Sequence, residues 1–566
     1  MVFTAPKWVG ELPYDVPTNT LVGDFVFTKA WPRLSDAVPN GKLVCAISGN
    51  SITLQEIRER VDLLARSLSH RLNWKPEEGA PWQKVIGVFS LNAVDFLTAC
   101  WAIHRVGGIC LLLHPTSPAS EIEAHMKRSN CHAVFTNYAL LPTCLEATNG
   151  VGILADNVFI LEIPGIPKPD DGPGASLHTV EALIAEGSSL STINPVNWDD
   201  EEGTERVAYL CPTSGTSGMQ KLAIVTHRGF IANMMQGRTF EDAGEEGGVP
   251  QVGLGILPLT HSYGLTVAQA MLWRNDTLIL HPRFEMQAML KSIMQYKIDR
   301  LYLIPPILAA LANNTFLLDL CDLSSVKSIV TGAGGLSKEL SDKIRSLRPS
   351  WTMLSGYGLT ECAVMVALTS NRSLLPGSSG ILLPQYKARL VDLEGRDIEG
   401  YDKAGELLLQ TPSLMKGYVG DEVASKASFE SAGWLRTGDV GLFRPGTDGS
   451  EHLFIVDRLK DMIQVKGIQV VPTEIEACLQ LHPDVADAAV VAVKDPRDGE
   501  RAKAFIIRSA TGVGKDEGEL KKVIAKHVEE RLTEPHWLHR RVEFVDQFPR
   551  SQAGKVLKYQ LRLMSA

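Results

Sequence analysis

Short apolar runs and helically spaced apolar residues alternate through the first two thirds of the chain. The continuous runs 85–89 and 109–113 predict buried strands, and the segment 91–106 between them predicts a helix. The same alternation returns from 252 to 304. Strands that alternate with helices pair in parallel and are covered on both faces, so the pattern predicts an α/β fold with doubly wound sheets.

The pattern changes after about residue 361, where strand-like runs follow one another with turns between them. This arrangement predicts a β subdomain. Farther on, strand-like runs mix with an amphipathic helix over 519–531 that carries Val523 on its apolar face. We therefore expect a large N-terminal domain, residues 1–457, and a small α+β C-terminal domain, residues 458–566.

Composition and charge exclude several classes of protein. The 566 residues are 45% hydrophobic and 21% charged, which is typical of a globular protein and not of a disordered or fibrous chain. The net charge of −9 disfavours non-specific binding to nucleic acid. The 9 cysteines are scattered without a Cys-x-x-Cys pair, so neither a zinc site nor a disulfide framework is expected.

Targeting signals are also absent from the sequence pattern. No run of about 18 apolar residues predicts a membrane span. The N-terminal residues lack the apolar core of a signal peptide, and the last three residues, Met564, Ser565 and Ala566, do not form a peroxisomal address. We therefore expect a cytoplasmic protein with no membrane partner.

The strongest local signal is a loop rich in glycine and hydroxyl groups that follows the strand-like run 207–210. Its sequence from 213 to 221 is Thr-Ser-Gly-Thr-Ser-Gly-Met-Gln-Lys. Glycines let backbone N–H groups face a ligand, hydroxyls donate to phosphate oxygens, and a lysine neutralises charge. The Walker pattern is absent. The loop predicts a phosphate site, and a flexible Gly/Ser turn is the alternative interpretation.

Further motifs follow this loop in order. They are 257–261 (Leu-Pro-Leu-Thr-His), 332–336 (Gly-Ala-Gly-Gly-Leu), 355–361 (Ser-Gly-Tyr-Gly-Leu-Thr-Glu), 434–439 (Trp-Leu-Arg-Thr-Gly-Asp), 457–461 (Asp-Arg-Leu-Lys-Asp), 466–467 (Lys-Gly) and 549–555 (Pro-Arg-Ser-Gln-Ala-Gly-Lys). Together they resemble the signatures of the adenylate-forming superfamily of acyl- and aryl-CoA ligases, peptide-synthetase adenylation domains and luciferases. The resemblance covers essentially the whole chain. It is closest to coumarate–CoA-ligase-like synthetases, including fungal ones of secondary metabolism.

The resemblance implies a two-step ligase reaction. A carboxylate attacks the α-phosphorus of Mg-ATP, which gives an acyl-adenylate and pyrophosphate. The thiol of coenzyme A then attacks the acyl carbon and releases AMP. The N-terminal domain would bind AMP and the acyl group, and the C-terminal domain would be a mobile lid.

The resemblance also implies the site residues. The catalytic residues would be Lys555, Thr360, His261 and Lys460. The ATP and AMP site would comprise Thr213, Ser214, Gly215, Thr216, Ser217, Gly218, Lys221, Gly332, Ala333, Gly334, Ser355, Gly356, Tyr357, Gly358, Thr360, Asp439 and Arg458. The acyl pocket would comprise His261, Tyr263, Val267, Ile304, Val330, Ala333, Gly356 and Val364. Lys466 and Gly467 would contact coenzyme A, and Glu361 would hold Mg²⁺.

The expected pocket walls are mostly apolar, with no carboxylate to hold an amino group, which disfavours an amino acid as substrate. An aryl, cinnamate-like or medium-chain acid is expected, and the sequence does not choose among them. Two other functions stay open. The adenylate could pass to the phosphopantetheine of a carrier protein or to an amine, or the chain could be a non-catalytic binding protein. Retention of Thr360, Glu361, Asp439 and Lys555 together argues against the last.

Overall fold

The computed structural model describes residues 1–28, 41–213, 220–244, 249–332, 338–466, 468–550 and 555–564. Its strands are β1 (Phe3–Thr4), β2 (Lys42–Cys45), β3 (Ser51–Thr53), β4 (Val85–Phe89), β5 (Ile109–Leu113), β6 (Cys131–Thr136), β7 (Val158–Ile160), β8 (His178–Thr179), β9 (Val207–Thr213), β10 (Lys221–Thr226), β11 (Val252–Gly255), β12 (Thr277–Leu280), β13 (Arg300–Leu303), β14 (Ser328–Thr331), β15 (Thr352–Leu359), β16 (Val364–Leu368), β17 (Gly380–Leu382), β18 (Lys387–Val391), β19 (Gly405–Gln410), β20 (Phe429–Glu430), β21 (Trp434–Pro445), β22 (Glu451–Arg458), β23 (Ile463–Val465), β24 (Ile468–Val470), β25 (Val485–Asp495), β26 (Gly499–Arg508) and β27 (Val542–Phe544).

Its α-helices are α1 (Val22–Thr28), α2 (Leu54–Leu72), α3 (Phe96–Arg105), α4 (Ala119–Ser129), α5 (Leu141–Val151), α6 (Val180–Gly187), α7 (Asp200–Glu205), α8 (His227–Ala243), α9 (Ser262–Trp273), α10 (Met286–Tyr296), α11 (Pro305–Asn313), α12 (Thr315–Leu320), α13 (Lys338–Leu347), α14 (Glu422–Ala427), α15 (Pro472–Gln480), α16 (Glu517–Glu529) and α17 (Lys558–Met564). Among the described residues, no helix combines the length and the apolar character that crossing a bilayer requires.

The largest sheet joins a parallel half to an antiparallel half. Its strand order is β1-β18-β19-β21-β22-β17-β16-β15-β14-β13-β11-β12-β2-β3. From β15 through β14, β13, β11 and β12 to β2 the neighbours are parallel. From β15 through β16, β17 and β22 to β21 they are antiparallel. The change of texture seen in the sequence near residue 361 thus falls where β15 meets β16.

A second sheet has the order β10-β9-β5-β4-β6-β7-β8. Strands β4 and β5 occupy the predicted ranges 85–89 and 109–113, and every residue in both is buried. They pair in parallel from Val85 opposite Ile109. Burial on both faces explains why each strand is a continuous apolar run rather than an alternating one. The predicted α/β fold is confirmed.

A third sheet begins at Ile463, five residues after β22 ends at Arg458, and contains β23 to β27. Helix α16 packs on this sheet. It begins two residues before the predicted start at 519, because the Asp516 carboxylate caps it by accepting from the backbone N–H of Glu519. Its buried face includes Leu520 and Ile524, whereas Val523 is 52% exposed, so the prediction for Val523 was wrong. The domain boundary at residue 458 stays a prediction.

Candidate active site

A cavity of about 620 Å³ runs between the large sheet, α8, α9 and the segment that ends at Lys460. This size is typical of small-molecule sites. The predicted site residues that line it are Thr213, Lys221, His261, Tyr263, Val267, Val330, Gly332, Ser355, Gly356, Tyr357, Gly358, Thr360, Glu361, Val364, Asp439, Arg458, Lys460 and Lys555. The structure therefore brings together residues that are more than 300 positions apart in the chain.

The remaining predicted residues fall into two groups. Ile304 and Lys466 are described but do not line this cavity: Ile304 packs against the hydrophobic core, and Lys466 lies between β23 and β24. The others lie outside the described residues; they are Ser214, Gly215, Thr216, Ser217, Gly218, Ala333, Gly334 and Gly467. Thr213 and Lys221, the two flanks of the predicted phosphate loop, are paired opposite each other in the β9–β10 ladder.

One end of the cavity is organised around the buried carboxylate of Asp439. The Tyr357 hydroxyl donates to Asp439 Oδ2 at 2.7 Å, and Arg458 Nε lies 3.2 Å from Oδ1. The Asp439 backbone N–H donates to Thr437 Oγ1 at 3.0 Å. Burial and the neighbouring Asp439 charge raise the pKa of Tyr357 well above its ordinary value, so the phenol keeps its proton. The carboxylate is thus held in one orientation by a phenol and a guanidinium.

Beside Asp439, the turn after β15 presents Thr360 and Glu361. The Thr360 and Ser262 hydroxyls are 3.1 Å apart, and the Tyr418 hydroxyl donates to Glu361 Oε1 at 2.8 Å. The ammonium of Lys221 lies over the ring of Tyr418 at 4.8 Å from its centroid. Lysine, carboxylate and hydroxyl groups therefore converge on one side of the cavity.

The backbone of this turn is strained. Ala363 and Val364 have φ of 55° and 113°, a region that a β-branched residue rarely adopts. Gly358 makes the return of the chain possible, because a Cβ there would lie 1.9 Å from the carbonyl oxygen of Val364. Strained backbone of this kind concentrates at functional sites, where the surrounding structure holds it.

Three cationic or titratable side chains meet near this turn. Burial and the nearby Arg458 lower the pKa of Lys555, while Asp439 and Glu361 oppose the shift. Burial and the charge of Lys555 lower the pKa of His261 to about 4. His261 also caps α9, since its Nδ1 accepts from the backbone N–H of Tyr263 at 3.2 Å. His261 is therefore neutral at pH 7, with its proton on Nε2.

Helix α9 forms a wall along the rest of the cavity. Its lining residues, with the C-cap Arg274, are Ser262, Tyr263, Thr266, Val267, Ala270, Met271, Trp273 and Arg274. They span twelve residue steps, which is about 18 Å at 1.5 Å per residue. Helix α8 also lines the cavity. Its Gly237 packs closely against Met365, because a Cβ at Gly237 would lie 2.5 Å from Met365 Cε. The cavity is thus long, with apolar walls over most of α9.

Charged side chains line this same cavity at the C-terminal end of α9. They are Arg238, Glu241, Arg274 and Arg300. No carboxylate was expected among the walls of the acyl pocket, yet Glu241 lines the cavity. A signal was present in the sequence: Arg238, Glu241 and Asp242 are spaced to share a face in a helix that is otherwise mostly buried.

The fold and this cavity define an adenylate-forming enzyme. The model of the AMP-binding enzyme family matches residues 35–419, and the model of the AMP-binding enzyme C-terminal domain matches residues 474–555. The chain is 45% identical to the acyl-CoA ligase easD of Emericella nidulans over 100% of both chains. It is 46% identical to the acyl-CoA ligase gloD of Glarea lozoyensis over 99% of both. The chain therefore belongs to the AMP-binding enzyme family.

Solved structures of this class have the same fold. ATP-bound MatB from Rhodopseudomonas palustris superposes with a TM-score of 0.79 at 21% identity, over 96% of this chain and 99% of that one. The amide bond synthetase McbA from Marinactinospora thermotolerans superposes with a TM-score of 0.77 at 25% identity, over 96% and 99%. The family match and the full-length relatives together show that the protein is an AMP-forming acid–CoA ligase that uses ATP and coenzyme A.

Proposed function

We propose that this ligase activates a long, largely apolar carboxylic acid as its acyl-adenylate and then forms the coenzyme A thioester. The observation that carries the proposal is a single cavity with Asp439 and Glu361 at one end and the apolar length of α9 leading away from them. Such a shape suits a nucleotide joined to an extended acyl chain.

In this proposal, each group of the polar end has a separate task. Asp439 accepts from the ribose hydroxyls, since each carboxylate oxygen has a lone pair beyond the one used by Tyr357 or Arg458. Thr360 and the 213–221 loop donate to phosphate oxygens. Lys555 lies between the attacking carboxylate and the α-phosphate, where a cation offsets the repulsion of two anions. At about 4 Å and an effective dielectric near 20, one such charge pair contributes roughly 4 kcal/mol.

Glu361 fits a magnesium ion brought in with the nucleotide. Mg²⁺ is usually held by one or two carboxylates together with substrate phosphates and water, not by a dedicated protein cage. That matches Glu361, which lines the cavity beside Thr360, and in the part of the chain that is described no cluster of three or more His, Cys, Asp or Glu side chains forms a cage. When bound, the ion would neutralise charge on the phosphates.

The shape of the acyl end favours a medium-chain acid over a single aryl ring. A zigzag of 1.5 Å carbon–carbon bonds advances about 1.3 Å per bond, so about 18 Å along α9 accommodates roughly 12 to 14 carbons. A cinnamate-like acid would fill only the half near Tyr263 and Val330, where the Tyr263 hydroxyl donates to the Val330 carbonyl at 3.4 Å.

The second half-reaction needs room for a thiol where Lys555 first acts. We propose that the C-terminal domain, residues 458–566, rotates about Lys460 between the two steps and carries Lys466 and Gly467 towards coenzyme A. Burial lowers the pKa of Lys460 to about 8, which fits a side chain packed at a hinge in this arrangement. Lys466 adopts a positive φ of 51° and pairs with Asp498 and Glu534.

The test is a panel of saturated acids from 4 to 16 carbons and of cinnamate-like acids, with Mg-ATP, with and without coenzyme A. Pyrophosphate release reports adenylation, and product mass reports the thioester. The proposal expects acyl-CoA from saturated acids of about 12 to 14 carbons. Highest turnover with a cinnamate-like acid would overturn the chain-length part. No pyrophosphate release with any acid would favour the non-catalytic alternative.

Transfer of the adenylate to an amine or a carrier-protein phosphopantetheine is the second candidate. The likeness to a protein named an amide bond synthetase favours it. The same assay separates the two: pyrophosphate release without acyl-CoA, followed by product formation when an amine or carrier protein is added, would support this candidate.

A further inference from the structure

The far end of the cavity is built from ionised side chains. We name as the ionic floor the four charged residues that line it there: Arg238, Glu241, Arg274 and Arg300. They come from α8, the C-cap of α9 and the start of β13. Arg274 Nη1 donates to one oxygen of Glu241, and Arg300 Nη2 donates to the other. An acyl chain that follows α9 reaches this floor after about 18 Å.

Within the part of the chain that the structure describes, the ionic floor and its partners are balanced in charge. Asp242 pairs with Arg238 at 3.0 Å, and Asp276 pairs with Arg274 at 2.9 Å, so the three arginines face three carboxylates, Glu241 included. An acid with a charged far end would bring an uncompensated charge into a buried site, which is strongly unfavourable. A neutral polar group meets no such penalty.

Glu241, which lines the cavity, is the most exposed member of the floor. Its side chain is 14% exposed, against 3% for Arg238 and Arg274 and 4% for Arg300. Burial opposes its ionisation, but the charges of Arg274, Arg300 and Arg238 lower the pKa of Glu241 to about 2. An ionised carboxylate can only accept hydrogen bonds, and each oxygen has capacity beyond the single arginine bond described above.

An apolar chain end is a poor match for this surface. A terminal methyl group would remove the remaining solvent contact of the carboxylate without supplying a hydrogen bond. Nor does stability explain the floor, because buried ion pairs are commonly no better for stability than apolar residues of similar volume. The open acceptor therefore indicates a donor on the ligand.

We propose that the ionic floor selects acids of roughly 12 to 14 carbons whose far end carries a neutral hydrogen-bond donor, such as a hydroxyl group, which donates to Glu241. This inference rests on the proposed function, in which the acyl chain follows α9. It makes Glu241 a specificity-determining residue and adds a polar terminus to the substrate class.

The experiment compares two series of acids on the wild-type enzyme: saturated acids, and the same acids with a terminal hydroxyl, from 8 to 16 carbons. The ratio of kcat/KM for the hydroxylated acid to that for its plain partner is measured by pyrophosphate release. We expect a ratio of about 10 or more near 12 to 14 carbons, as a hydrogen bond to a charged acceptor gives. At 8 carbons the hydroxyl ends among apolar side chains, so the ratio should be at or below one.

Glu241→Gln provides the matched variant, because it keeps the size of the side chain and removes its charge. Each variant is scored as the ratio of two substrates on one sample, so a loss of folded protein cancels. We expect the ratio at 12 to 14 carbons to fall towards one in Glu241→Gln. A wild-type ratio near one at every length, with plain acids turned over, would overturn this inference and leave the proposed function standing.

Two other results would also decide the matter. Higher turnover of the 12-carbon dicarboxylic acid than of the hydroxy acid would overturn the charge-balance argument and with it the inference. No pyrophosphate release with either series would overturn both the inference and the proposed function.

Discussion

Substitution of Ala270 by phenylalanine should shorten the acyl cavity in a predictable way. Ala270 lines the cavity from the middle of α9, eight residues beyond Ser262, so a phenyl ring there closes the channel after about 12 Å. At about 1.3 Å per bond, roughly nine carbons still fit. A 14-carbon acid would then lose burial of about five methylene groups.

The size of the effect follows from that length. At about 0.8 kcal/mol per buried methylene, five of them contribute about 4 kcal/mol. Since 1.36 kcal/mol corresponds to a tenfold change in rate, kcat/KM for the 14-carbon acid should fall by about 10³ in Ala270→Phe. For a 6-carbon acid it should change by less than about tenfold, because that chain ends before the ring.

The assay is pyrophosphate release with saturated acids of 4 to 16 carbons for wild type, Ala270→Phe and the matched control Ala270→Ser, which adds a single atom. The control should keep the wild-type profile. An Ala270→Phe enzyme that loses short and long acids equally, or keeps the wild-type chain-length profile, would refute the view that the acyl chain lies along α9.

Three further results are expected. Lys555→Met should slow acyl-adenylate formation by about 10²–10³, the effect typical of removing one preorganised electrostatic contact, yet still convert supplied acyl-adenylate to acyl-CoA. Equal loss of both steps, with the exposed Lys522→Met as control, would contradict that role. EDTA should abolish pyrophosphate release and excess Mg²⁺ should restore it; activity unchanged by EDTA would exclude Mg²⁺. Burial lowers the pKa of His104, His125 and His261 to about 4, so the unfolded chain binds more protons between pH 6.5 and 4, and the free energy of unfolding should fall as the pH drops through that window, by up to about 1.4 kcal/mol per pH unit for each histidine. His125→Phe should reduce this slope, because it removes one of these titrating groups. The substitution breaks no hydrogen bond to a described residue, since neither ring nitrogen of His125 has a partner among them. Urea titrations at pH 7, 6 and 5 that give an unchanged slope would count against this prediction.

The parts of the fold that the sequence predicted best are those whose burial is complete. Strands β4 and β5 match the apolar runs 85–89 and 109–113, because a strand covered on both faces has no reason to contain polar residues. Val523 was misplaced because periodicity marks a face but not its edges, and this valine lies at the edge of the buried stripe.

The polar end of the cavity was accessible to sequence reasoning because each of its motifs is a contiguous run with its own chemistry. The ionic floor as a unit was not, because the sequence signal covers only its α8 members, Arg238 and Glu241. Glu241 and Arg300 are 59 positions apart, and neither belongs to a recognisable motif. Only the tertiary packing of α8, α9 and β13 shows that they share a cavity, and a charged residue in a helix usually indicates a solvated face. Ile304 is the opposite case: it was expected in the acyl pocket because it is apolar and close to the site in sequence, but it packs against the hydrophobic core.

The straight wall formed by α9 has a consequence for how substrate preference can diverge among related enzymes. Side chains on one face of a helix recur once per turn, about 5.4 Å apart, which corresponds to roughly four carbons of an extended chain. Enlarging Tyr263, Val267 or Ala270 would each set a stop one turn from the next. Preferred acid length would then shift between lineages in jumps of about four carbons, each needing a single substitution, while finer adjustment would have to come from the opposite wall.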